Sequence, residues 1–264
     1  MGASAPGKGV SLSHSATMLV DAVPALAEIA EIEAQSFRQL PSPDITIDDL
    51  LALAQEINSS INDGVRGVVV TQGTDTIEES AFVIDRLVHK DAPVVFTGAM
   101  RNPTMPGPDG PSNLYHAVIT ALDLQVRGIG TLVVMNDEIH AARYVQKLHT
   151  TNPAAFHSSP GGAIGWVMEG GAHIVTRPSG RFPLNVTVSA APARVARLTA
   201  GLDEDGTLVD LSVQAGFDGI VIDSTGGGHV PSRMVAALER AVQKIPVVFA
   251  SRTRHGETMQ NTYN

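Results

Sequence analysis

Apolar residues gather in short β-branched runs along this chain, and between the runs they recur at helical spacing. Val68-Val69-Val70, Pro93-Val94-Val95-Phe96 and Thr131-Leu132-Val133-Val134-Met135 are nearly continuous apolar stretches. Such runs predict strands buried on both faces. Between them, Ile77, Ala81, Ile84 and Val88 share one face of a helix predicted from Ile77 to Val88, and Ser112 is placed to cap a helix reaching Val126. Ahead of the first strand, Thr46-Ile47-Asp48-Asp49 opens a helix in capping-box style. It is predicted to run to about Ile61, with Leu50, Leu53, Ala54 and Ile57 on one face. Helices alternating with buried strands predict an α/β fold with a mostly parallel sheet.

The rhythm breaks between Gly170 and Pro192, which is rich in Gly, Pro, Arg and Ser, and resumes beyond. Gly219-Ile220-Val221-Ile222 reads as a strand, Pro231 to Val242 as a helix and Pro246-Val247-Val248-Phe249 as a strand. We therefore expect a larger α/β domain over residues 1–172, a linker over 173–192 and a smaller α/β domain over 193–264. No repeat or low-complexity tract stands out.

Composition narrows the function classes. The 264 residues are 43% hydrophobic and carry a formal net charge of -9, a balance that argues against non-specific nucleic-acid binding. There is no cysteine, so disulfides, thiolate zinc sites and cysteine nucleophiles are excluded. No apolar run approaches the roughly 18 residues of a membrane helix. Met1 to Ser15 is Gly/Ser/Pro-rich and lacks the apolar core of a signal peptide. These features predict a soluble globular protein. The histidines, His140, His149 and His157 among them, show no metal spacing, and H-E-x-x-H, G-x-S-x-G, Walker A and G-x-G-x-x-G motifs are all missing.

The richest chemistry follows the first strand, in Thr71-Gln72-Gly73-Thr74-Asp75-Thr76-Ile77-Glu78-Glu79. In an open α/β sheet, ligands bind outside the carboxyl ends of the strands. Thr71, Thr74, Asp75 and Thr76 would sit there, with Gly73 allowing a sharp turn. The same residues also suit a turn and a helix cap. Two further strands end in polar residues, Thr97-Gly98-Ala99-Met100-Arg101-Asn102 with the loop Pro103 to Pro111, and Asn136-Asp137-Glu138. Their convergence is what a small-molecule site needs. Lys147, in Arg143-Tyr144-Val145-Gln146-Lys147, has two readings. A lone lysine is usually a solvated surface charge, whereas a desolvated one beside a hydroxyl can act as a base or hold a developing alkoxide. Gly226-Gly227-Gly228-His229 could cradle an anion, but no Lys-Ser/Thr follows it, and a close-packed turn is the better reading.

Four blocks in order, Thr71 to Glu79, Thr97 to Arg101, Asp109-Gly110-Pro111-Ser112-Asn113-Leu114 and Val134-Met135-Asn136-Asp137, resemble the bacterial-type asparaginase and glutaminase family. The resemblance implies two α/β domains and hydrolysis of the side-chain amide of asparagine, in some members also of glutamine. It implies no metal or organic cofactor, and tetramers built from close dimers. Thr74 matches the second active-site threonine, Asp75 the carboxylate that binds the substrate's α-ammonium, and Lys147 the lysine completing a Thr-Lys-Asp set. Ser42 matches the serine that holds the α-carboxylate, although Pro43 stands where many relatives have a polar residue. Ala99, in the second block, is carried over as a substrate-binding residue.

The chain also departs from the family's pattern. The Thr-Gly-Gly-Thr-Ile-like turn that bears the threonine usually taken as nucleophile does not occur, and no Tyr precedes Tyr115 to serve as the lid tyrosine. Gly226 lies near the position where some relatives receive an asparagine from the neighbouring subunit. Ser251-Arg252 through Thr262-Tyr263-Asn264 resembles a stretch that continues in relatives. We therefore expect a fragment or a mis-started reading frame that folds poorly or stays inactive as given. The compartment and the asparagine-over-glutamine preference are left open. Two rival readings are the asparaginase-like subunit of a tRNA-dependent amidotransferase and a non-catalytic amino-acid binder that keeps Asp75 and Ser42.

Overall fold

In a computed structural model of the chain, residues 15–180, 183–184 and 193–261 are described. The start of the Gly/Ser/Pro-rich segment, residues 181–182 and 185–192 of the expected linker, and Thr262 to Asn264 lie outside the described residues. The chain divides into two compact units near residue 188.

The first unit begins with the short helices α1 (Ala16–Asp21) and α2 (Leu26–Ile29), followed by α3 (Ile47–Asn62). Thr46 caps α3 as its sequence predicts. Its side chain accepts from the Asp49 N–H while the Asp49 carboxylate accepts from the Thr46 N–H, a reciprocal pair worth about 1 kcal/mol. Next come β1 (Val68–Thr71), α4 (Ile77–Leu87), β2 (Val94–Thr97), α5 (Gly110–Leu122) and β3 (Thr131–Met135). The three strands are parallel, with Val70 opposite Phe96 and Phe96 opposite Val133. Their alternation sorts the core into two layers. Val94, Phe96, Val133 and Met135 pack with Ala54, Ile57, Ile77, Ala81 and Ile84 of α3 and α4. On the opposite side, Val95, Leu132 and Val134 pack with Ala117, Ile119 and Ala121 of α5.

Beyond β3 the expected parallel order gives way. Asn136 and Asp137 both adopt positive φ, 50° and 66°, and turn the chain straight back into β4 (Glu138–Ala141). Asn and Asp tolerate that conformation, which a two-residue hairpin turn requires. The stretch read as a polar strand end is thus a tight turn plus the first residue of the next strand. A second hairpin joins β7 (Gly165–Met168) to β8 (Gly171–Ile174) through Glu169 and Gly170, also at positive φ. The six-stranded sheet runs β1-β2-β3-β4-β7-β8, and the β3–β4, β4–β7 and β7–β8 pairings are antiparallel. It is therefore a mixed sheet, and β8 falls within the stretch whose composition suggested a linker. A separate antiparallel ribbon, β5 (Val145–Lys147) with β6 (Phe156–Ser158), leans on the α3–α4 side of the core through Val145, Ala155 and Phe156.

Ser112 does not cap α5. The helix opens two residues earlier at Gly110, with Asp109 at the cap position and Pro111 in the first turn, where its missing N–H is no loss. It ends at Leu122, and Leu124–Val126 forms a separate 3-10 turn capped by Asp123.

The second unit holds β9 (Val195–Thr199), α6 (Thr207–Gln214), β10 (Gly219–Ser224), α7 (Ser232–Val242) and β11 (Val247–Ser251). Its three strands are parallel in the order β11-β10-β9. Val209, Ile220, Ile222, Met234, Ala237 and Leu238 form its core. The Arg240 guanidinium clasps both Asp210 carboxylate oxygens, at 3.2 and 2.6 Å, between the two helices. The Gly226–Gly228 segment is a tight turn closed by hydrogen bonds from Thr225 Oγ1 and the Thr225 N–H to the His229 carbonyl, both 2.9 Å.

Candidate active site

The site is built on the turn after β1, in the first unit. Gln72 donates from its backbone N–H to the Thr97 carbonyl, which carries the β1–β2 pairing past the strand end. Thr74–Thr76 then forms one 3-10 turn before α4 begins. Inside it, the Gln72 amide nitrogen donates to Thr76 Oγ1 at 3.1 Å, and Thr76 Oγ1 donates to the Ser42 carbonyl at 2.8 Å. Ser42 opens another 3-10 turn, Ser42–Asp44, and is 4% exposed. A Cβ on Gly73 would stand only 2.9 Å from Ser42 Oγ, so glycine is what lets the two turns close on each other.

Thr74, Asp75 and Lys147 meet. Lys147 Nζ donates to Thr74 Oγ1 at 2.9 Å and to Asp75 Oδ1 at 2.5 Å, across 73 and 72 residues of chain. The Lys147 side chain is 13% exposed and that of Asp75 is 66% exposed. The ammonium is thus largely withdrawn from solvent, whereas the carboxylate opens outward and can reach a ligand. Lys147 ends β5 opposite Phe156, and its backbone N–H is taken by the Glu78 carboxylate from the first turn of α4. Glu78 stood in the Thr71–Glu79 stretch read from sequence but was given no role there. The available signal was its place three residues after Asp75, on the same helical approach.

The second strand end lies against the first. A Cβ on Gly98 would fall 2.6 Å from the Gln72 carbonyl oxygen and 3.1 Å from the Thr74 methyl carbon, so Gly98 and Ala99 run directly beside the Thr74 turn. The third strand end is connected rather than open. Asn113 of α5 donates to the Gly98 carbonyl at 3.0 Å, and its side-chain oxygen accepts from the Asn136 N–H at 3.0 Å. Thr76 was read from sequence only as one of the polar groups at the strand end, Asp109 and Asn113 only as part of a family-like block, and Gln72 not at all, because side-chain bonds to distant backbone leave no periodic trace.

One neighbouring group titrates unusually. His140 of β4 is 1% exposed and bonds Ser158 Oγ of β6 through Nδ1 at 3.0 Å, which ties the Lys147 ribbon to the main sheet. Its Nε2 lies 3.3 Å from a Glu138 carboxylate oxygen without forming a directed hydrogen bond. Burial, and then the nearby His157, push the His140 pKa down to about 4. Among the described residues no three His, Asp or Glu side chains converge as a metal ion would require, and no helix is long and apolar enough to cross a membrane.

Comparison with known proteins matches this arrangement of elements. The L-asparaginase of Bacillus licheniformis is 36% identical over 241 residues, which cover 90% of this chain and 74% of that protein. The glutaminase-asparaginase of Pseudomonas aeruginosa is 34% identical over 272 residues, 97% of this chain and 74% of that protein. The crystal structure of a probable cytoplasmic L-asparaginase from Campylobacter jejuni superposes with a TM-score of 0.86 at 30% identity, covering 90% of this chain and 77% of that one. Residues 1–179 match the asparaginase N-terminal domain, residues 194–264 match the glutaminase/asparaginase C-terminal domain, and on both grounds the chain belongs to the asparaginase family.

Proposed function

We propose that this chain hydrolyses the side-chain amide of L-asparagine to aspartate and ammonia through a threonine-bound acyl intermediate, with Thr74, Lys147 and Asp75 as its proton-handling group. The observation that carries this reading is Lys147 Nζ placed between Thr74 Oγ1 and Asp75 Oδ1 at the carboxyl end of β1. A threonine hydroxyl is a weak nucleophile and needs either a proton acceptor or a field that stabilises its alkoxide. When such a hydroxyl attacks the amide carbon, its O–H bond breaks, and the departing nitrogen needs a proton as the C–N bond cleaves. The Lys147–Thr74 hydrogen bond offers that proton a path. Water then opens the ester, releases aspartate and returns the proton to the same groups. The oxyanion formed at each stage needs fixed donors, a role suited to backbone N–H groups of the Gly- and Thr-rich turns.

In this reading the outward face of Asp75 takes the substrate's α-ammonium, Ser42 its α-carboxylate and the Ala99 backbone its amide. Two folding domains over 1–172 and 193–264 and homo-oligomers of the intact chain belong to the same proposal. Limited proteolysis and sedimentation velocity test these last two points. The central test is ammonia release from L-asparagine and L-glutamine, with hydroxylamine added to trap the acyl group. Asparagine-dependent ammonia and hydroxamate support the proposal. Binding of asparagine without ammonia would replace the enzyme with an amino-acid-binding protein.

A further inference from the structure

The two side chains that fix the second strand end, Asn113 and Asp109, form one unit. Asn113 is 2% exposed, and its amide nitrogen donates to the Gly98 carbonyl at 3.0 Å and to Asp109 Oδ2 at 3.1 Å. The same Asp109 oxygen accepts from the Met100 N–H at 3.0 Å, and its partner oxygen accepts from the Arg101 N–H at 2.8 Å. The Gly98 carbonyl and the Met100 N–H therefore point to the same place. They belong to the two peptide planes on either side of Ala99. In a trans peptide the C=O and N–H point in opposite directions. Ala99's own N–H and C=O must both be aimed the other way, away from the clamp and toward one side. Neither finds a hydrogen-bond partner among the described residues, and residue 99 is half-buried. At this half-buried position the two groups stay open to a ligand as well as to water.

We propose that Asn113 and Asp109 are positioning residues that lock the two peptide planes around Ala99 and so aim its backbone donor and acceptor at the substrate's carboxamide. This rests on the amidase reading above. A carboxamide offers one acceptor and one donor along a single edge, which is what a residue with N–H and C=O on one side can pair. Asn113 extends the lock to the β3–β4 turn through the Asn136 N–H, so the aim of Ala99 is referred to the sheet and not to the loop that carries it. In this reading both residues act through the backbone of residues 98–101 and touch no substrate.

The test compares the intact protein with Asn113→Ala and Asp109→Asn, measuring asparagine turnover, L-aspartate affinity by calorimetry, and thermal midpoint. Each variant should lose about 100-fold in kcat/KM, the scale of a small misplacement of a reacting group. Aspartate has no amide hydrogens to give the Ala99 carbonyl, so its affinity should fall at least about tenfold less than turnover does. Asp109→Asn keeps shape at a half-buried position and carries the test if Asn113→Ala fails to fold. Turnover within about threefold of the parent in folded Asp109→Asn overturns the proposal. So does an equal loss of aspartate binding and turnover, which would mean general collapse of the site. A parent protein that binds aspartate but releases no ammonia defeats the amidase reading and this proposal with it, whereas an active parent with indifferent variants defeats only the positioning role.

Discussion

Replacing Lys147 with methionine separates catalysis from stability, and the structure sets both magnitudes. The side chain keeps its length and its apolar stem but loses the ammonium that bonds Thr74 Oγ1 at 2.9 Å and Asp75 Oδ1 at 2.5 Å. For the fold, two unit charges 2.5 Å apart in bulk water attract by about 1.7 kcal/mol. Holding the long lysine side chain in one rotamer costs about as much, up to roughly 2 kcal/mol. Because Asp75 is 66% exposed, solvent screens the pair, and the net change in stability should be under about 1 kcal/mol. For catalysis the accounting differs, since Thr74 needs its partner as charge develops. Losing one preorganised donor typically lowers kcat by about 100- to 1,000-fold, or roughly 3–4 kcal/mol. Ammonia release at saturating asparagine, measured beside a calorimetric melt, reads both numbers. A folded Lys147→Met protein with kcat within about threefold of the parent would refute the assignment of Lys147 to proton handling.

Asp75→Asn removes the charge proposed to meet the α-ammonium, and calorimetric affinity for asparagine should weaken by about 1.5–3 kcal/mol, the scale of a hydrogen bond to a charged group. Unchanged affinity would leave Asp75 as a partner of Lys147 alone. Gly98→Ala drives a methyl to 2.6 Å from the Gln72 carbonyl oxygen, a backbone atom that cannot step aside. It should cost about 1–3 kcal/mol in urea unfolding and displace Thr74, and normal stability would contradict the close approach. His140 stays neutral in the folded protein to about pH 4, while its unfolded counterpart takes up a proton below about 6.5. Above 6.5 the two states match. As pH falls toward 4 the unfolded state gains a proton that the folded state refuses, so stability should drop by about 1.4 kcal/mol per pH unit, about 3 kcal/mol in all. Denaturant melts of the parent and His140→Gln across that window would sink the argument if their pH slopes were equal.

What could be read ahead of the structure follows from how local each signal is. The α3 cap needed only Thr46 and Asp49, three residues apart, and the β1–α4 join needed only a β-branched run followed by a hydroxyl-rich turn. Thr74 and Asp75 were visible because they are adjacent. Lys147 stayed ambiguous because what distinguishes it from a surface lysine is a contact 73 residues away. The antiparallel half of the sheet escaped for a different reason. Strands of four residues such as Glu138–Ala141 and Gly171–Ile174 are too short to display alternation, and their Gly, His and Glu content resembles loop. Their signal lay in the turns, where Asn136-Asp137 and Glu169-Gly170 both accept positive φ. Ser112 misled because Asp109, the residue at the cap position, spends its carboxylate on the Met100 and Arg101 N–H groups and the Asn113 side chain instead of on the helix's own backbone N–H groups.

The return of the chain at Asn136-Asp137 also bears on the order in which the site is completed. Thr74, Asp75 and Ala99 come from the β1–α4–β2 crossover, whereas Lys147 is delivered by the ribbon that follows the reversal. Short antiparallel hairpins close in microseconds, while parallel crossovers must first close long loops and form more slowly. Neither event alone brings Nζ to Thr74. During refolding, enzymatic activity should therefore return with the slowest docking step and lag the recovery of helix content, which makes the Lys147–Thr74 contact a reporter of late assembly.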